Sequence, residues 1–207
     1  MSKSKQKGFT LVEVAIVLVI IGLLLGGILK GQEMINSARV KNMANDFRTI
    51  PLYVYQYQDK FRSLPGDDPA ATAHVGAAIG GNGNGVIDGA WDSATPTDES
   101  FLFWQHVRLA DLASGPTATT DAAYLPRNAD GGRLGIQGGT PPIIGLRGSY
   151  FICSGGMLGK YAKQLDTTLD DGETSTGSMM TAVAGTNTPV TAATIIDSNS
   201  YTACLGF

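Results

Sequence analysis

Few side chains in this chain are able to do chemistry. Its two histidines, His74 and His106, stand at unrelated spacing. Its two cysteines, Cys153 and Cys204, fall in the last part of the sequence. An even pair forms one disulfide in an oxidising compartment or stays as two buried thiols. Asp170 and Asp171 are adjacent, so they point apart on most backbones and read with Gly172 as a turn. No HExxH, GxSxG, Walker-type loop or CxxC occurs. A nucleophile with its base, an acid–base pair or an open metal position is therefore not expected, and neither is an enzymatic activity or a cofactor.

One stretch has a cation-binding flavour. Asn82-Gly83-Asn84-Gly85-Val86-Ile87-Asp88 resembles a degraded calcium loop, and Asp67 and Asp68 add charge from nearby. Calcium takes six to eight oxygens, mostly from carboxylates. Here two asparagines replace acids and no bidentate Glu follows, so a glycine-rich turn is the alternative. The remaining informative charge is Glu13, which stands alone inside the apolar run Phe9–Leu29.

That run sets the organisation of the chain. At 1.5 Å per residue it spans about 32 Å, matching a hydrocarbon core of roughly 30 Å. Lys3, Lys5 and Lys7 precede it and are expected to stay cytoplasmic, which sends the chain after Leu29 across the membrane. The run is longer than a secretory h-region, and no A-x-A-like site follows. A carboxylate near the start of such a helix is costly unless it reaches the interface or meets a cation. Gly22, Gly26 and Gly27 are small residues of the kind that let helices approach closely in lipid. A cut between Gly8 and Phe9 would place a new α-amino group one turn from Glu13.

The string Lys7-Gly8-Phe9-Thr10-Leu11-Val12-Glu13, followed by the apolar run, resembles the N-terminal signal of type IV pilins and type II secretion pseudopilins. The likeness covers about residues 1–32. It implies that a prepilin peptidase cuts after Gly8 and that Phe9 becomes N-methylphenylalanine. It also implies that Glu13 pairs with the N-terminus of a neighbouring subunit. The partners implied are copies of the chain or other pilins in a filament, and the inner-membrane assembly machinery. The location implied is the inner membrane with the head in the periplasm, then a surface pilus or a periplasmic pseudopilus. The alternative roles are those of a minor pilin or a pseudopilin whose head binds a surface, DNA or a secreted substrate. The cysteine pair resembles the disulfide-bounded C-terminal loop of many type IV pilins.

Composition agrees with a structural role. Charged residues make up 16% against a usual level of roughly 25%, and the net charge is −3. Nothing here forms a basic surface for nucleic acid. The expected domains are a leader at 1–8, a long helix at 9–62 and a head at 63–207. Met34, Ala38, Met43, Phe47, Ile50, Val54 and Tyr57 recur at helical spacing, which predicts an amphipathic second half docked on the head. Pro51 is expected to kink or break it. Leu64 to Asp98 reads as a long loop, and Thr95-Pro96-Thr97-Asp98 as a helix start, with Thr95 as N-cap and Pro96 at N1, leading into a helix Glu99–Ala113. Trp104 and His106 read as packing residues there. Asp121–Thr140 reads as mostly loop, Ile143–Cys153 as a strand, Met157–Leu169 as a helix, and Met179–Val183 and Tyr201–Leu205 as the last strands. The fold class is α+β, a long N-terminal helix packed on a small antiparallel sheet.

Overall fold

The computed structural model describes Gly8 and residues 10–207. Its elements are α1 (Leu11–Phe61), α2 (Ala71–Val75), α3 (Glu99–Leu109), β1 (Leu134–Gly138), β2 (Tyr150–Leu158), α4 (Gly159–Leu169), β3 (Met179–Val183) and β4 (Ser200–Gly206). The chain divides into two compact units, the first ending at Ala38 and the second running from Arg39 to Phe207. The boundary falls within α1.

In the second unit, α1 buries Val40, Met43, Ala44, Phe47, Ile50, Val54 and Tyr57. These recur every three or four residues, so they form one stripe of the helix surface. Met34 and Ala38, expected on that stripe, are exposed because they precede the second unit. Pro51 lies inside an unbroken helix, contrary to expectation. A proline removes one backbone hydrogen bond and costs about 3 kcal/mol. Burial of Phe47, Ile50, Val54 and Tyr57 on both sides of it outweighs that cost. The helix closes at Arg62, whose φ of 57° is left-handed and whose N–H donates to the Gln58 carbonyl.

The sheet has the order β1-β2-β4-β3, with every pair antiparallel. One face carries Ile136, Ile152, Tyr201 and Ala203 into a core shared with α1, α3 and α4. The other carries Phe151, Cys153, Met180, Ala182 and Cys204 into a smaller cluster closed by Ile143 and Leu146. Cys153 and Cys204 are register partners on β2 and β4, and the disulfide joins them. β2 bulges between Ser154 and Met157.

α3 is buried from Glu99 to Arg108. It starts at Glu99 as expected, with Asp98 and not Thr95 at the N-cap, and it stops at Leu109, short of the expected Ala113. Inside it, His106 accepts a hydrogen bond at Nδ1 from Gly66 N–H and donates from Nε2 to the Ile79 carbonyl. Both contacts suit the neutral ring, and burial pushes its pKa below the usual value. Arg108 lies between the rings of Trp104 and Tyr124 and donates to the carbonyls of Pro116 and Tyr124.

At the end of α4, Asp166 is fully buried. Its Oδ1 accepts Gly172 N–H at 2.8 Å, and its Oδ2 has no partner. Its pKa is raised from 3.8 to about 6: burial raises it most, the Gly172 N–H works against that, and Asp170, Asp171 and Glu173 add to the rise. The folded state therefore holds a proton between about pH 4 and 6 that the unfolded chain has released. This group's contribution to stability falls as pH rises through that window. Asp166→Asn removes the dependence. In urea unfolding with the disulfide intact, its stability relative to the native sequence is expected to be about 1 kcal/mol more favourable at pH 7.5 than at pH 5. A difference that does not vary with pH would show that Asp166 titrates normally.

Candidate functional site

The first unit is built from residues that its own chain does not cover. Leu11 is 91% exposed, and the apolar side chains from Val12 to Leu29 are exposed with it. The helix is long and apolar enough to cross a membrane, and none of its most apolar stretch is buried. At Gly22, Gly26 and Gly27 an added Cβ would meet nothing within 4 Å. No contact among the described residues therefore calls for glycine at these positions.

The helix starts on a reciprocal pair of side chains. Glu13 Oε2 accepts the Thr10 N–H at 2.7 Å and the Thr10 hydroxyl at 2.8 Å. Thr10 Oγ1 in turn accepts the Glu13 N–H at 3.2 Å. This is a capping box: two orphan donors of the first turn are satisfied before any partner arrives. Oε1 of Glu13 makes no hydrogen bond to the described residues. The signature of this pair, Thr-x-x-Glu ahead of an apolar run, stands in the sequence at Thr10 and Glu13. Gly8 is exposed and lies outside the helix. Phe9, the expected methylated residue, lies outside the described residues, as do Lys3, Lys5 and Lys7.

The suspected cation loop is held differently from a calcium site. Asp67 Oδ1 accepts the N–H groups of Gly83 and Asn84, and its Oδ2 accepts that of Gly85. Glu99, at the start of α3, accepts those of Asn82 and Asp88. Asp88 takes both the Asn82 and Asn84 amides. Asp68 accepts the Tyr57 hydroxyl at 2.8 Å, His74 Nδ1 at 2.7 Å and the Ala70 N–H. Burial of Asp68 acts to raise its pKa, but these donors more than offset it and hold the carboxyl below its usual range. The loop is thus wound around carboxylates as a set of backbone donors. Among the described residues, no group of three or more acidic, histidine or cysteine side chains is arranged to hold a metal. Gly66 makes the crossing possible: its φ is +92°, and a Cβ there would strike the Glu99 carbonyl.

A membrane-capable helix with an uncovered apolar surface, continuing into an α+β head with a cross-strand disulfide, defines a pilin-like arrangement. Residues 3–29 match the family model of the prokaryotic N-terminal methylation motif, the signal of type IV pilins and pseudopilins. No curated protein matches the chain.

The capping box can be tested by itself. Thr10→Val keeps the side-chain shape and removes the hydroxyl, at a cost of about 1 kcal/mol to the first turn. Amide exchange at Leu11–Val14 in micelles is expected to speed up about fivefold. Unchanged exchange would mean that Thr10 does not hold the helix start.

Proposed function

We propose that the chain is a structural subunit of a type IV pilus or a related filament. It enters the inner membrane through residues 9–29 with its head in the periplasm. A prepilin peptidase cuts between Gly8 and Phe9, and Phe9 is methylated. The helix then leaves lipid for a bundle of like helices. The observation that carries this proposal is the coincidence of the methylation motif at residues 3–29 with a helix whose apolar surface its own chain leaves bare.

The chemistry of assembly follows from Glu13. A carboxylate moved into an apolar bundle needs a cation and hydrogen-bond donors. Thr10 supplies two donors to Oε2 within the chain. Oε1 is left to take the α-amino group of a neighbouring subunit, a contact that rewards one register of the helices over others. A minor pilin or a secretion pseudopilin would use the same step. The disulfide between Cys153 and Cys204 favours a pilin among these, by likeness to the C-terminal loop of that class.

Mass spectrometry of the mature protein is expected to find Phe9 at the N-terminus with one added methyl group. A mature chain starting at Met1 or beyond Leu29 would sink the proposal. Glu13→Ala is expected to leave membrane insertion intact and to abolish or strongly reduce filaments in electron micrographs. Thr10→Val, which keeps the charge, is expected to retain them. Normal filaments from Glu13→Ala would remove the pairing role.

A further inference from the structure

We propose that the head binds a saccharide in a cleft of about 620 Å³ on the sheet face that carries the disulfide. The volume falls within the range of about 300–1,000 Å³ typical of small-molecule sites. Its floor is the bulge of β2 at Gly155 and Gly156 together with Thr202 and Cys204 of β4. Its walls include Trp91 and Asp92, Arg133, and the Gly185–Asn187 turn.

The indole of Trp91 is set in place by features distant in sequence. Its backbone N–H donates to Gln137 Oε1 at 2.9 Å. Its carbonyl passes so close to β1 that a Cβ at Gly135 would strike it. A Cβ at Gly155 would come within 2.7 Å of the ring atom Cη2. The floor under it is rigid, because the buried Asn128 amide donates to Ser154 Oγ and the Gly155 carbonyl and accepts the N–H groups of Asp130 and Gly132.

Trp91 is half-buried: it covers the disulfide cluster with part of its surface and lines the cleft with the rest. No hydrogen bond to the described residues engages its indole N–H, the Thr202 hydroxyl or the Asn187 side-chain amide. Asp92 and Arg133 add one acceptor group and one donor group of opposite charge.

A partly apolar ring face surrounded by mixed donors and acceptors, with no net charge, fits a pyranose. The C–H face of the sugar packs on the indole, and its hydroxyls both donate and accept. Other ligands fit less well. A nucleic acid strand needs several cations, and Arg133 is the one basic side chain in the lining. A peptide adding as a strand needs a free sheet edge, and this cleft lies over the inner strands β2 and β4.

The test uses the full chain in a zwitterionic detergent that contains no sugar. Saturation-transfer NMR is run with cellobiose, chitobiose, lactose and maltose, and with a thymidine oligonucleotide and an acidic hexapeptide as controls. Transfer to ring C–H protons of at least one disaccharide is expected. Trp91→Leu and Asn187→Ala are each expected to weaken that binding about tenfold or more, with the Asn187→Ala unfolding midpoint unchanged. Should Trp91→Leu fail to fold, Asn187→Ala and Thr202→Val carry the test. The proposal is overturned by no transfer to any disaccharide, by binding that survives both of those variants, or by transfer to a control in place of the sugars. None of these readouts depends on filament formation.

Discussion

An apolar helix surface that its own chain cannot cover is the constraint on which the rest of this protein rests. Leu11–Leu29 leaves its apolar side chains exposed over a length that fits membrane anchoring. The start of the helix shows how a single carboxylate is tolerated in such a stretch. Thr10 and Glu13 satisfy each other's backbone and side-chain groups, so part of the cost of taking Glu13 out of water is offset inside the chain. What is left over is one carboxylate oxygen, which under the proposed assembly would take the α-amino group of a second subunit.

The head solves a different problem. A domain with little charge and many glycines must hold long loops without much regular structure. It does so with buried carboxylates. Asp67 and Glu99 gather backbone N–H groups from the Gly80–Asp88 region, and Asp68 ties Tyr57 of α1 to His74 in α2. Each accepted N–H settles a donor that burial would otherwise strand. At the point where α1 enters the second unit, Arg39 pairs with Asp130 at 2.9 Å, and Asp130 also accepts the Leu158 N–H. The disulfide then locks the two inner strands, β2 and β4, at a register pair.

Much of the fold was legible in the residues, for reasons that differ by element. The stripe from Met43 to Tyr57 was visible because a helix buries residues at its own period. β3 and β4 were visible because short apolar runs stood between turn residues. β1 was not, since Leu134-Gly135-Ile136-Gln137-Gly138 has two glycines and no clean alternation. Its glycines answer to remote neighbours, the Trp91 carbonyl and the Ile87 N–H, each of which a Cβ would crowd. The expected strand Ile143–Cys153 instead begins at Tyr150, because Gly145 and Gly148 turn the chain with positive φ while Ile143 and Leu146 bury from the loop.

The sequence by itself determined the character of the N-terminal segment: its apolar length, its basic flank, the Gly8-Phe9 junction and the Thr10–Glu13 pair. All of these lie within one short continuous stretch, and their physics is local, governed by helical rise, transfer from water and capping. Tertiary structure alone decided that α1 runs through Pro51, that the Gly/Asn loop wraps carboxylates, and that Trp91 lines a cleft beside the disulfide. Each of these depends on groups tens of residues apart meeting at hydrogen-bonding or van der Waals distance. No periodicity or spacing along the chain encodes such a meeting.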